Sequence, residues 1–283
     1  MTTLPEQNTI ALIYDFDGTL TPKAMQEYTV LREFCIDSEK FWADVKKVTK
    51  AQQADEILTY MRLMLDRIRE PNQQQQLTRC KLQGMAENVE YFHGVDSWFE
   101  RMSEYVDMKS SGAVHLQQYI ISAGLKEIID ATGIARHFAR IYASEYYYDA
   151  AGHAVWPNLV INDTNKTQFL FRINKGREDL ALSINEHTPE EERPIPFENM
   201  IYVGDGETDV PCMTVVRKYG GYSVAVYNEA KDQAKTTCEK LLTAERIDFF
   251  AIANYNDDSP LDRQVKLMLD VMIARILQKR DAS

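Results

Sequence analysis

The chain has 283 residues, 45% hydrophobic and 27% charged, enough to bury a substantial core as one large domain or two unequal ones. Its 43 acidic against 32 basic side chains give a net charge of -11, so a polyanion is repelled at long range and nucleic acid is not expected as a partner. Cys35, Cys80, Cys212 and Cys238 lie far apart with no CxxC pair, which argues against a zinc site and a dense disulfide framework and fits a reducing cytoplasm. No basic cluster followed by an apolar stretch opens the chain, and no run of about eighteen apolar residues occurs, so neither export nor membrane insertion is expected. Without export, the glycosylation tripeptides beginning at Asn162 and Asn165 carry no meaning.

In chain order, Ile10 to Tyr14 is a short, nearly all-apolar run, the pattern of a parallel strand covered on both faces, and it ends in polar residues and Gly18. Residues 22 to 91 differ in character, rich in Gln, Lys, Glu, Met and Leu with few glycines, and read as a helical insertion. Within it Ile57, Met61, Met64 or Leu65, and Ile68 follow amphipathic spacing, stopping at Pro71, and Gln73 to Gln76 read as a loop or the start of the next helix. Met61, Met64 and Met85 read as packing residues. The chain returns to its core near Gly94, so the expected division is a discontinuous core, 1–21 and 92–283, around a helical unit, 22–91.

A second strand, Tyr119 to Ile121, passes through Ser122 and Gly124 into a helix-like stretch closed at Gly133. "YASEYYYDAAGHAVWPNLV" suggests a β-hairpin beside the sheet, and "NKTQFLFRINKG" a helix opened by Lys166. A third strand, Met200 to Val203, enters a glycine-rich turn and another helix, a fourth follows at Tyr222 to Tyr227, and the chain closes on an amphipathic helix whose Lys279 and Arg280 suit its negative end. Alternating strands and helices of this kind predict a three-layer α/β/α Rossmann-like fold with a mainly parallel sheet and a smaller helical unit. Ligands of such sheets bind beyond the carboxyl ends of the strands, where the polar clusters fall.

Residues two apart in an extended chain point the same way, so Asp15 and Asp17 can reach one point beyond their strand. Each cluster also has a bland account: Asp17-Gly18 as a turn, Ser122 as a cap, Lys166 as a solvated side chain, Asp205 and Asp209 as turn and helix-dipole partners. Their joint fall at element junctions in a compatible order favours one site. "GDGETD" has Asp209 where a dinucleotide fingerprint needs its third glycine, and a calcium loop from Asp205 would meet Val210 and Val216 at its glycine and glutamate places. None of the five scattered histidines is assigned a role.

In order, "DFDGTLT", "IISAG", the lysine opening "KTQFLFRINK" and "VGDGETD" resemble the four motifs of the haloacid dehalogenase superfamily, and most closely its phosphoserine-phosphatase-like branch, with residues 22 to 91 similar to that branch's helical cap. The resemblance implies a magnesium ion and an aspartyl-phosphate intermediate. It implies that Asp15 attacks phosphorus and that Asp17 protonates the leaving oxygen, then takes a proton from water. Asp15, the backbone carbonyl of Asp17, and Asp205 would hold Mg2+, with Asp209 orienting its waters. Ser122 and the backbone of Gly124 would bind phosphoryl oxygens, Lys166 would offset charge, and Thr19 would support the turn. Lys175 competes for the lysine role, but the spacing of Leu170 and Ile173 favours Lys166.

The chemistry accounts for such a set independently. A carboxylate attacking an anionic phosphate meets about 4 kcal/mol of repulsion per charge pair at roughly 4 Å and an effective dielectric near 20, a roughly thousandfold slowing. Magnesium, with its preference for hard oxygen ligands, and a lysine cancel it. An aspartate at position 17 resembles phosphatases and mutases, so the expectation is hydrolysis of a small-molecule phosphomonoester, with phosphoryl transfer or non-catalytic phospholigand binding as alternatives. The branch's substrate-binding glutamate, nine residues past the nucleophile, is replaced by Ala24, with Glu27 in another register, so phosphoserine is not the expected substrate.

Overall fold

The apolar run at the N-terminus forms strand β1 (Thr9–Tyr14), and its alternation explains why both faces had to be oily. Ile10, Leu12 and Tyr14 enter one core cluster, Ala11 and Ile13 the other, one on each side of the sheet. In the computed structural model, which describes residues 5–69 and 76–281, β1 is the centre of a seven-stranded sheet.

Among the described residues, β1 is followed by α1 (Met25–Tyr28), α2 (Val30–Glu33), α3 (Ser38–Gln52), α4 (Glu56–Ile68) and α5 (Arg79–Gly84). Asp37 and Asp55 cap α3 and α4 by accepting from the amides of Lys40 and Leu58. The predicted amphipathic helix is α4, with Met61, Met64, Leu65 and Ile68 buried; Pro71 and Gln73 to Gln75 lie outside the described residues. The Phe92 amide donates to the Leu20 carbonyl, and Gly94, in the left-handed region, starts α6 (Val95–Ser110).

The rest of the chain is β2 (His115–Leu125), α7 (Lys126–Ile129), β3 (Arg140–Tyr148), β4 (Ala154–Leu159), α8 (Lys166–Lys175), β5 (Met200–Gly204), α9 (Val210–Lys218), β6 (Tyr222–Tyr227), α10 (Ala234–Thr243), β7 (Phe249–Ile252) and α11 (Pro260–Asp281). The strand order is β4-β3-β2-β1-β5-β6-β7, and every pairing is parallel except β3 with β4. The hairpin therefore does not stand beside the sheet: its first strand is a parallel member of it. The helix-like stretch after Gly124 is only the one turn of α7, closed when the Thr132 hydroxyl donates to the Ile129 carbonyl.

Trp98, Phe99 and Met102 of α6 and Val265, Leu269 and Met272 of α11 fill one face. Phe169, Leu170 and Ile173 of α8 with Cys212, Met213 and Val216 of α9 fill the other. The sheet thus lies between two helical layers, the α/β/α arrangement expected. Successive strands run outward from β1 in both directions, to β2 on one side and β5 on the other, which makes the carboxyl end of β1 the topological switch point where a crevice opens. No helix among the described residues is long and apolar enough to cross a membrane.

Candidate active site

The backbone amide of Asp15 donates to the Val203 carbonyl (3.0 Å), carrying the β1–β5 ladder one residue beyond the strand. The chain then turns within residues 16 to 21: Leu20 N bonds Phe16 O at 2.8 Å and Gly18 N bonds Thr21 O at 2.9 Å. Gly18 has φ +82°, and a Cβ there would lie 2.1 Å from Asp205 Oδ2, so only glycine admits both the turn and the carboxylate against it. Thr19 supports this turn through its backbone, its carbonyl accepting from the buried Tyr255 hydroxyl at 2.7 Å.

Lys166, at the first position of α8, is 1% exposed, and its Nζ lies 2.9 Å from Asp15 Oδ1 and 2.8 Å from Asp209 Oδ1. Lys175, the competing lysine, donates instead to the carbonyls of Ile184 and Glu186 at the far end of the helix. Asp209 is fully buried and both its oxygens are engaged: Oδ1 also accepts from the Tyr202 hydroxyl at 2.7 Å, and Oδ2 from the Asp205 amide at 3.1 Å. Asp15, Asp205 and Asp209 each offer an oxygen within 4.8 Å of the others. Across the cleft, Ser122 Oγ accepts from Gly124 N at 2.9 Å, and the Met25 amide donates to Asp17 Oδ1 at 2.8 Å.

A cavity of about 350 Å³ opens beside this cluster. Asp15, Asp17, Ser122 and Lys166 line it from the sheet side, and Asp55 and Ile57 of the insertion line it from above. Gly124 sits at its edge, where a Cβ would come 3.0 Å from Asp17 Oδ2. All seven residues singled out in the sequence, Asp15, Asp17, Ser122, Gly124, Lys166, Asp205 and Asp209, therefore meet in one region. Neither Ala24 nor Glu27 is among the lining residues. Sequence reasoning missed Tyr202, the insertion residues Asp55 and Tyr60, and Asn162, which drew notice only as part of a tripeptide. Asn162 Nδ2 donates to Asp55 Oδ2 at 2.7 Å, and the Tyr60 hydroxyl to the Ala123 carbonyl at 2.8 Å. An aspartate heading an amphipathic run, as Asp55 does, was the only available signal, and it marks a cap rather than a contact.

The electrostatics describe a site short of positive charge. Burial, opposed by Lys166 and reinforced by Asp209, raises the Asp15 carboxyl to about 6. Burial and then the charge of Asp15 raise Asp17 to about 8, and burial with Asp209 and Asp15 raises Asp205 to about 7. Burial alone would discharge Lys166, but Asp15 and Asp209 outweigh it and hold the ammonium protonated. Four carboxylates thus face one ammonium, and the donor set is all oxygen, which fits a hard divalent cation such as Mg2+.

The family model for haloacid dehalogenase-like hydrolases matches residues 12–214, spanning every residue of this cluster. The chain belongs to that family. A Borreliella burgdorferi protein, described as uncharacterized, is 29% identical to this haloacid dehalogenase-like hydrolase over 278 residues, 90% of this chain and 94% of its own. Among solved structures, a HAD family hydrolase from Salmonella enterica serovar Typhi superimposes with a TM-score of 0.58 at 16% identity, covering 94% of this chain and 72% of that one. An apo phosphoserine phosphatase does so with a TM-score of 0.57 at 15% identity, covering 91% and 98%. At such identities these two show the fold, a phosphoserine-phosphatase-like haloacid dehalogenase fold.

Proposed function

We propose that this hydrolase is a Mg2+-dependent phosphatase that cleaves small-molecule phosphomonoesters through an aspartyl-phosphate on Asp15. The observation that carries the reading is the buried Lys166 ammonium held 2.9 Å from Asp15 on the wall of a cavity that Asp17 and Ser122 share. A lysine in that position orients the carboxylate and offsets charge on an incoming phosphate.

Asp15 attacks phosphorus while the bond to the leaving alcohol breaks, and the Asp17 carboxylic acid gives that oxygen its proton. Burial and the neighbouring Asp15 charge raise the Asp17 carboxyl and so favour the protonated acid. As a carboxylate it then takes a proton from the water that attacks the acyl phosphate, releasing phosphate and restoring Asp15. The Ser122 hydroxyl and the Gly124 amide, already bonded to each other, bind the phosphoryl oxygens. Asp15, the Asp17 carbonyl and Asp205 would hold Mg2+, with Asp209 fixing the Asp205 backbone; when bound, the ion supplies charge neutralisation at phosphate and nucleophile.

Residues 22–91 serve as the cap that closes the cavity and selects the leaving group, and a pocket of about 350 Å³ suits a small one. The four thiols, all free, suit a reducing cytoplasm. The test is phosphate release from p-nitrophenyl phosphate with and without Mg2+. The reading requires metal-dependent turnover that Asp15→Asn abolishes, and inactivity of folded wild-type protein across a metabolite panel would reject it.

A further inference from the structure

The pairing of β2 with β3 slips at the cavity: Ser122 lies opposite Ala143, yet Leu125 lies opposite the very next residue, Ser144. Ala123 and Gly124 are therefore surplus to the ladder, a bulge at the end of the strand. A backbone carbonyl left outside a ladder needs another donor, from the protein or from water. Ala123 finds it in the Tyr60 hydroxyl of α4, at 2.8 Å. Tyr60 is 2% exposed and its ring packs edge-on against Trp42, which fixes the hydroxyl against the half-buried Ala123.

A second residue of the insertion holds the other side of the bulge. Met25 Sδ lies 3.2 Å from the Leu125 amide, and the Met25 methyl occupies the space beside Gly124, 2.3 Å from where a Cβ would stand. The Met25 amide also fixes Asp17. Among the described residues, the surplus loop has one hydrogen bond within itself, from Gly124 N to Ser122 Oγ.

We propose that Tyr60 and Met25 are positioning residues that set the Ser122–Gly124 loop for phosphoryl binding, so that the helical insertion shapes the anion site as well as covering it. The proposal rests on the phosphatase reading of that loop. Without the Tyr60 hydroxyl the Ala123 carbonyl loses its protein donor, the two surplus residues relax, and the Ser122 hydroxyl and Gly124 amide move relative to Asp15. Misplacement of groups that must meet one phosphate costs rate steeply.

The experiment uses the full chain with Mg2+, p-nitrophenyl phosphate as substrate and inorganic phosphate as competitive inhibitor, with thermal midpoints measured alongside. Tyr60→Phe is expected to raise the phosphate Ki about tenfold and to lower kcat/KM by at least as much. Met25→Leu, which conserves volume, is expected to raise Ki a few-fold, and Trp42→Phe, which disturbs the Tyr60 ring but keeps its hydroxyl, is expected to leave Ki within about twofold. A Tyr60→Phe protein with both constants within about twofold of wild type overturns the proposal, even if its midpoint falls. Should that variant not fold, an unchanged Ki in Met25→Leu overturns it. Asp15→Asn separates the two readings: if it is inactive while Tyr60→Phe is unaffected, positioning alone fails, whereas turnover in Asp15→Asn overturns the phosphatase reading and this proposal with it.

Discussion

The floor and the roof of the cavity are built on different principles. On the floor, polar atoms engage one another: Lys166 bridges Asp15 and Asp209, and Asp209 also accepts from Tyr202 and from the Asp205 amide. These groups stand on strand ends and a helix start, so their spacing follows from the sheet. The roof is the first turns of α4, joined to the core through Asp55 to Asn162, Tyr60 to Ala123, and the Tyr146 hydroxyl to the Met61 carbonyl. Glu56 there is exposed and Ile57 only half-buried. On the phosphatase reading proposed above, the sheet layer carries the reacting groups, while the insertion governs what that layer can receive and holds the loop at Ala123.

The sharpest way to break that contrast is Lys166→Met. It leaves Asp15 and Asp209 buried without their cation, and turnover should fall by more than about a thousandfold. Stability should fall by about 3–5 kcal/mol unless a carboxyl takes up a proton, as steady-state rates and urea unfolding will report. Gly18→Ala comes next. Its Cβ would collide with Asp205 and its φ is unfavourable, so a loss of about a hundredfold in kcat is expected, with weaker Mg2+ activation read from a metal titration.

Metal removal sharpens the electrostatic side. A carboxyl raised in the folded state stabilises the fold below its unfolded value, and the contribution disappears as pH rises through its folded value. Asp15, Asp205 and Asp17, raised to about 6, 7 and 8, should therefore make metal-free protein progressively less stable from about pH 4 to pH 8. Melts in chelator should show that decline, Mg2+ should restore the midpoint by a margin that grows with pH, and Asp205→Asn should flatten the decline. The smallest effect belongs to the roof: Ile57→Ala is expected to change KM for small esters only a few-fold with kcat nearly constant, and a large loss of kcat would erase the distinction between the two layers.

The floor was legible in the sequence because its determinants are local: short, nearly continuous apolar strands that lead into Asp15, Ser122 and Asp205, and a lysine that opens a helix. The roof was not. Tyr60 sits among the buried positions of an amphipathic helix and looks like packing, and only its partner sixty-three residues away makes its hydroxyl matter. The bulge at Ala123 and Gly124 depends on how β2 registers with β3, and β3 itself looked like part of a separate hairpin because its parallel pairing with the preceding strand, unlike its antiparallel turn to β4, leaves no local mark. Asn162 was hidden for the same reason, its partner Asp55 lying 107 residues earlier.

The claim on which the rest depends is that Asp15 becomes covalently phosphorylated. It is tested most directly by acid-quenching wild-type protein during turnover of p-nitrophenyl phosphate and measuring peptide masses. One phosphoryl group on the peptide that contains Asp15, absent from Asp15→Asn, is the predicted result; sustained turnover with no phosphoryl group on that peptide, or with one carried elsewhere, would contradict it.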